Sequence, residues 1–351
     1  MARKRQSQRV TSYEVAKLAG VSQATVSRAF TAGAQIAKDK KDRVLAAAKQ
    51  LNYYPNSIAS SLASASTNII AVIVGNLDNP FYVESLHAFI THLQASGKHV
   101  LSFTISQGKA CDDAVLEALK YNVDAIIVTS APLSNDLVSM TKGAGIPILL
   151  FNRSSDDPTL LSVRCDNFGG GQELGKVIYD AGARKVLILR GDPQGSTSRD
   201  RVAGFRLAVQ DKAIEAVRIE EIDGNSSYDG ARDAIRERFK GPNPTFPDAI
   251  YAVNDIMAIG CIDELRERFD LKFPEDIMIV GFDGIREGQL QPYKLTTIRQ
   301  PINAMVLKTL ELLAAIGDEE DTVKADSCVI PGRFFEGSTV TQMEQVGTKI
   351  P

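Results

Sequence analysis

Two sets of side chains in this 351-residue chain could do chemistry, and they lie far apart in sequence. The first is the run Ser22-Gln23-Ala24-Thr25-Val26-Ser27-Arg28. A Gln amide can read adenine through two hydrogen bonds, an Arg guanidinium can read guanine in the same way, and a small Ala can meet a thymine methyl. Ser22, Thr25 and nearby Tyr13 carry hydroxyls suited to phosphate oxygens, contacts that position a duplex without reading it. The second set is dispersed: Phe81, Tyr82, Arg153, Arg201, Asn254 and Asp283. Aromatic rings suit the apolar face of a sugar or a purine. An Arg fork, an amide and a carboxylate suit vicinal hydroxyls.

Catalytic signatures are missing from the sequence. There is no G-x-S-x-G elbow and no G-x-x-x-x-G-K-[ST] phosphate loop. The glycines of Phe168-Gly169-Gly170-Gly171-Gln172-Glu173-Leu174-Gly175 superficially resemble a dinucleotide cradle. They do not follow a first strand, and no G-x-G-x-x-G with a distal acid is present. No catalytic residue is therefore assigned, and the chain is expected not to be an enzyme. His87, His92 and His99 are spaced by five and seven, which fits no zinc motif, and no Cys is near. No metal and no cofactor is expected. Cys111, Cys165, Cys261 and Cys328 are scattered, the pattern of reduced thiols in a cytoplasmic protein.

Elements must hold these groups in place. Thr11 and Ser22 each precede a short helical pattern and can cap it with a hydroxyl. Between the two patterns Gly20 tolerates a left-handed turn. Apolar Val15, Ala19, Val21, Val26 and Ala29 pack the two helices together, leaving Gln23, Ala24, Ser27 and Arg28 outward. That is a helix-turn-helix, whose second helix enters the major groove. Charge agrees: residues 1–55 hold 11 Lys/Arg against 3 Asp/Glu, a net of +8, while the rest of the chain is net −11. A basic head of this kind is the electrostatic footprint of a nucleic-acid reader.

No charged residue occurs between Gln50 and Leu77. Within that stretch Ile58, Ala59 and Leu62 recur at helical spacing, and Asn56 can cap a short helix. From Asn68 onward, continuous apolar runs alternate with amphipathic helices: 69–74, 100–103, 125–128, 146–151, 186–189, 249–253 and 277–282. Unbroken apolar runs predict strands buried on both faces of a mostly parallel sheet. Seven of them predict two α/β lobes. Ligands in such sheets sit at the carboxyl ends of strands, where the aromatic pair in Asn79-Pro80-Phe81-Tyr82 is expected on a loop.

With these residues in view, the run T11-S-Y-E-V-A-K-L-A-G-V-S-Q-A-T-V-S-R28 resembles the lactose-repressor/galactose-repressor family of bacterial regulators. The likeness continues through L51-N-Y-Y-P-N, N79-P-F-Y, D166-N, R201-V-A-G-F, N254-D, V280-G-F-D and T296-T-I-R-Q-P. The resemblance implies an all-α helix-turn-helix domain over 1–55 and a hinge helix or linker over 56–67. It implies a two-lobed, periplasmic-binding-protein-like (type I) effector and dimerisation domain over 68–341, and a tail over 342–351. It places Asn56, Ala59 and Leu62 in the minor groove, with Leu62 as the kinking wedge; Ser60 departs from the longer Arg or Gln usual there. It places Arg201, Asn254 and Asp283 on the effector, while Arg153 is a candidate from position alone. The implied protein is a cytoplasmic homodimeric repressor on a pseudo-palindromic operator, controlled by a small molecule, with a sugar favoured over a purine. The alternative is a solute-binding or enzymatic α/β protein with a nucleotide-like ligand. No signal peptide and no membrane span are expected.

Overall fold

The computed structural model describes residues 10–31, 33–54, 66–105, 111–129, 133–157, 159–193, 195–210, 216–317 and 327–341. The chain divides into two compact units, Met1–Thr67 and Asn68–Pro351.

In the first unit, helices α1 (Ser12–Ala19), α2 (Gln23–Phe30) and α3 (Lys38–Gln50) enclose a small core. A reciprocal capping box starts α1: the Glu14 amide donates to Thr11 Oγ1, and the Thr11 amide donates to Glu14 Oε2 at 2.7 Å. Gly20 ends it at φ 62°, a left-handed geometry that costs glycine little. Ser22 then caps α2 by accepting from the Thr25 amide. Val15, Ala16, Ala19, Val26, Ala29, Val44 and Ala47 form the buried centre. Their small size lets short helices approach closely. Arg43 contributes from α3 by donating to the Ala19 carbonyl at 3.2 Å, closing the C-terminal end of α1.

The second unit holds two six-stranded sheets. The first sheet has strands β1 (Ile69–Val74), β2 (His99–Thr104), β3 (Ala125–Val128), β4 (Ile148–Phe151), β5 (Leu161–Cys165) and β11 (Cys328–Ile330), all parallel, in the order β11-β5-β4-β3-β1-β2. The second has β6 (Lys185–Arg190), β7 (Arg218–Asp223), β8 (Ala249–Ala252), β9 (Met278–Asp283), β10 (Thr296–Arg299) and β12 (Arg333–Phe335), in the order β12-β10-β9-β8-β6-β7. Only the β10–β12 pair is antiparallel.

Helices α4 (Pro80–Ala95), α5 (Cys111–Leu119) and α6 (Asn135–Gly143) alternate with the first strands. Helices α7 (Asn167–Asp180), α8 (Ser196–Gln210), α9 (Tyr228–Arg238) and α10 (Asp255–Phe269) serve the second sheet. The chain passes between the lobes after β5, returns after β10 through α11 (Ile302–Gly317), which packs on α4 and β5, and crosses again between β11 and β12.

Two expectations change. Pro80, Phe81 and Tyr82 are not loop residues but the first turn of α4, with Asn79 as cap. Proline fits a first turn because its missing N–H has no helical partner there. Strand β2 is not buried on both faces; it is a sheet edge and partly exposed throughout. The structure also contains strands β5, β7, β10, β11 and β12, which no long apolar run announces. Edge strand β7 (Arg-Ile-Glu-Glu-Ile-Asp) mixes charged and apolar residues, and none of them is fully buried.

Candidate functional site

The outer face of α2 presents Gln23, Ala24, Ser27 and Arg28, all exposed, while Val26 and Ala29 point into the core. The Gln23 amide is steered by its neighbour: Nε2 donates to Ser12 Oγ at 2.8 Å. Ser22 Oγ and Thr25 Oγ1 lie 2.9 Å apart at the same helix end. Tyr13 is 66% exposed on the first turn of α1, free to meet a partner. The expected hinge residues Asn56, Ala59 and Leu62 lie outside the described residues.

In the second unit a cleft of about 190 Å³ opens at the carboxyl ends of β1, β4, β6, β8 and β9. Phe81, Tyr82, Arg153, Arg201, Asn254 and Asp283 all line it. Both lobes contribute. Phe81 is nearly fully buried between Tyr82 and Phe151, with ring centroids 5.2 and 6.5 Å away.

The cleft floor is an almost closed polar network. Asp283 ends β9 with φ 131°, an unusual conformation for a non-glycine residue. Its Oδ1 lies 3.0 Å from Arg201 Nη2 and accepts from Gln300 Nε2 at 2.7 Å. Its Oδ2 accepts from Asn79 Nδ2 at 3.2 Å, a buried hydrogen bond from the first lobe to the second. Arg201 also donates from Nε to Asn167 Oδ1 and from Nη1 to the Val253 carbonyl, and it stacks 3.8 Å above the Phe282 ring. Asn254 Oδ1 caps α10 by accepting from the Met257 amide.

Beneath this floor Asp255 is fully buried. Its Oδ2 accepts from the Gly284 and Ile285 amides at 2.6 and 2.9 Å, and its Oδ1 accepts from Thr297 Oγ1 at 2.6 Å. Burial, then the charge of Asp283, pushes the Asp255 carboxyl up to about 7. Burial raises Asp283 as well, against the opposing pull of Arg201. Arg201 pairs with Asp283, so of these two interacting acids Asp283 keeps its charge more readily and Asp255 is the easier to protonate.

The glycine run 169–171 is a packing device. A Cβ on Gly171 would lie 2.2 Å from the Arg201 carbonyl oxygen, and one on Gly204 would lie 2.0 Å from that of Phe168. The backbones of α7 and α8 therefore touch, and that contact fixes where Arg201 enters the cleft. Sequence reasoning passed over Asn79, Asn152, Asp192, Gln300 and Asp255. Asn79 had a signal, an amide directly before a helix-starting proline. Gln300 and Asp255 stand in the stretches N254-D and T296-T-I-R-Q-P that carry the resemblance, but their roles depend on strands brought together only in three dimensions.

An exposed helix-turn-helix face and a two-lobed polar cleft in one chain define an effector-controlled DNA-binding regulator. Comparison with known proteins gives the family. Residues 67–337 match the family described as periplasmic binding proteins and sugar binding domain of LacI family, and residues 11–56 match bacterial regulatory proteins, lacI family. The chain belongs to the LacI family of transcriptional regulators, which bind operator DNA and small-molecule effectors and are not enzymes. It is 29% identical over 306 residues to the HTH-type transcriptional repressor PurR of Photobacterium profundum, covering 86% of this chain and 90% of that protein. It is 27% identical to the probable HTH-type transcriptional repressor ExuR of Bacillus subtilis, covering 95% and 99%. The Lac repressor dimer bound to operator and the anti-inducer ONPF has the same fold, at a TM-score of 0.82 and 24% identity over 95% of this chain and 99% of that one. Among the described residues no helix is long and apolar enough to cross a membrane, and no cluster fit to hold a metal ion occurs.

Proposed function

We propose that this chain is a cytoplasmic homodimeric repressor whose grip on a pseudo-palindromic operator is set by a sugar or sugar derivative in the cleft. The observation that carries the ligand class is the cleft wall. Asn152, Arg153, Thr197 and Ser226 offer an amide, a guanidinium and hydroxyls to hydroxyl groups. The rings of Phe81 and Tyr82 stand together on one side, with no ring among the lining residues of the opposite lobe. A purine gains most from an aromatic face to stack on, which a polyol does not need. Repression agrees with the names of the relatives at 27–29% identity.

On this reading Gln23, Ala24, Ser27 and Arg28 contact base edges, with Tyr13, Ser22 and Thr25 on phosphates. Asn56, Ala59 and Leu62 form a hinge helix too short to be stable alone in water, so it forms on the minor groove. A ligand that favours one lobe arrangement shifts the population able to order that hinge.

The test is a thermal-shift screen of the purified chain against sugars, sugar acids, sugar phosphates and purines. Gel shifts with each hit follow. A bound effector adds about 2.7 kcal/mol of stability at a hundred times its Kd and so raises the unfolding midpoint with concentration. Stabilisation by a purine alone would overturn the ligand class. Leu62→Ala should lose operator affinity while keeping effector binding. Unchanged operator affinity at one salt concentration would rule out the wedge.

A further inference from the structure

We infer that the effector is a hydroxylated acid, bearing a carboxylate or a phosphate, and that Arg153 selects it. This rests on the sugar-type reading of the cleft and narrows it.

The polar atoms of the cleft floor are mostly spoken for. Asp283 accepts from Asn79 and Gln300, Asn254 Oδ1 accepts from the Met257 amide, Arg201 donates to Asn167 and the Val253 carbonyl, and Arg201 Nη2 is held by its ion pair with Asp283. Besides Arg201 Nη2, which faces Asp283 in an ion pair, two buried polar atoms of the described cleft lining have no hydrogen-bond partner, and they stand side by side after β4. Asn152 is only 2% exposed, yet its Oδ1 has no hydrogen-bond donor. Arg153 Nε is likewise buried with no acceptor. Buried polar atoms without partners are rare in native proteins, and in a ligand cleft they mark where a ligand completes the bonding. Asn152 also holds φ 61°, a left-handed backbone that places this pair at the lining.

The two vacant bonds specify the ligand. Asn152 Oδ1 needs a hydroxyl that donates. Arg153 Nε needs an acceptor, and a guanidinium prefers one that is charged. Local electrostatics favour the same choice. The Arg201 charge is matched by Asp283 at 3.0 Å, so a ligand there meets a neutral pair. Arg153 has a long ion pair with Asp192 at 3.9 Å, and the Asp192 side chain is 46% exposed, where water screens it. Arg153 also abuts the start of the 15-residue helix α8, its Nη1 lying 3.3 Å from where a Gly195 Cβ would be. Thr197, on the first turn of α8, lines the same wall. The positive end of that helix dipole adds to the guanidinium.

Matched probe sets test this on the full chain by calorimetry at one salt concentration: glucose, gluconate, glucuronate and glucose 6-phosphate, with the galactose series beside them. One acidic member should bind at least tenfold tighter than its neutral parent, and carboxylate and phosphate arms show which group fits. Arg153→Gln should erase most of that preference, and Arg153→Lys should keep part of it. Asp192→Asn, which removes the competing carboxylate, should strengthen the acid without strengthening the neutral sugar. A neutral sugar bound as tightly as its acid, or a preference unchanged in Arg153→Gln, overturns the inference and leaves the sugar reading standing. Binding of a purine with no binding of any sugar in either charge state overturns both.

Discussion

The reading face of α2 and the floor of the cleft are built from the same residue types, and they use them in opposite ways. Arg28 and Gln23 stand exposed, and Gln23 is steered by its hydrogen bond to Ser12. Arg201 and Asp283 are 4% exposed each and already paired with each other and with further protein groups. On the helix, polar groups wait for a partner that brings its own charge and hydrogen bonds. In the cleft, they have been paired in advance, at the cost of desolvation, and hold two lobes together. The type of a residue does not say which of these it does; burial and partners do.

Substitutions separate the two regimes. The largest effect is expected at Asp283→Ala, which strands Arg201 without its counterion and also frees Asn79 and Gln300. Breaking a buried pair from one side costs about 3–5 kcal/mol. Urea unfolding of the body should show it, and a loss under about 1 kcal/mol would mean that the network contributes little. Gly204→Ala comes next. Its Cβ would press into the Phe168 carbonyl, so α7 and α8 must part, at about 1–3 kcal/mol. The same experiment should find the cleft affinity reduced, because α8 carries Arg201. Arg28→Ala should reverse the pattern. Stability should stay within about 0.5 kcal/mol, while operator binding weakens by about 1–3 kcal/mol and specificity relaxes at one base pair. An equal loss on random duplex would reassign Arg28 to phosphate.

The smallest effect is a pH slope. The Asp255 carboxyl sits at about 7 in the folded chain, above its ordinary 3.8, through burial and then through Asp283. The folded state therefore holds a proton that the unfolded chain releases. This contribution to stability is full below about pH 4 and is lost as pH rises to about 7. Asp255→Asn can still accept from the Gly284 and Ile285 amides and donate to Thr297. It should flatten the stability profile between those limits. An unchanged slope would place the proton elsewhere.

Much of this was legible beforehand, for physical reasons. Thr11, Gly20 and Ser22 announce helix ends through local hydrogen bonding, and the period of Val15, Ala19, Val26 and Ala29 dictates which face of α2 is free. Buried central strands such as β1, β3 and β8 read as unbroken apolar runs. Edge strands β2 and β7 were harder, since a half-covered strand mixes polar and apolar residues. The six cleft residues were placed by resemblance and by their position after strands. What stayed illegible was their state. Nothing local marks Arg201 as ion-paired, or Arg153 Nε and Asn152 Oδ1 as without a partner, because partners such as Asp283, Asn167 and Val253 come from strands and helices far apart in sequence. Similarly, the glycines 169–171 resemble a dinucleotide cradle only superficially in sequence, and their packing against the α8 backbone shows only in the fold.

The central claim is that the cleft governs the DNA-binding face. Its most direct test uses the full chain and a fluorescent operator duplex, selected from a random library, at fixed salt. Operator Kd is measured by anisotropy while the cleft ligand is titrated. The account predicts a change of at least tenfold, in either direction, with a midpoint equal to the ligand's own Kd for the cleft. An operator Kd that stays constant while the cleft fills would contradict it.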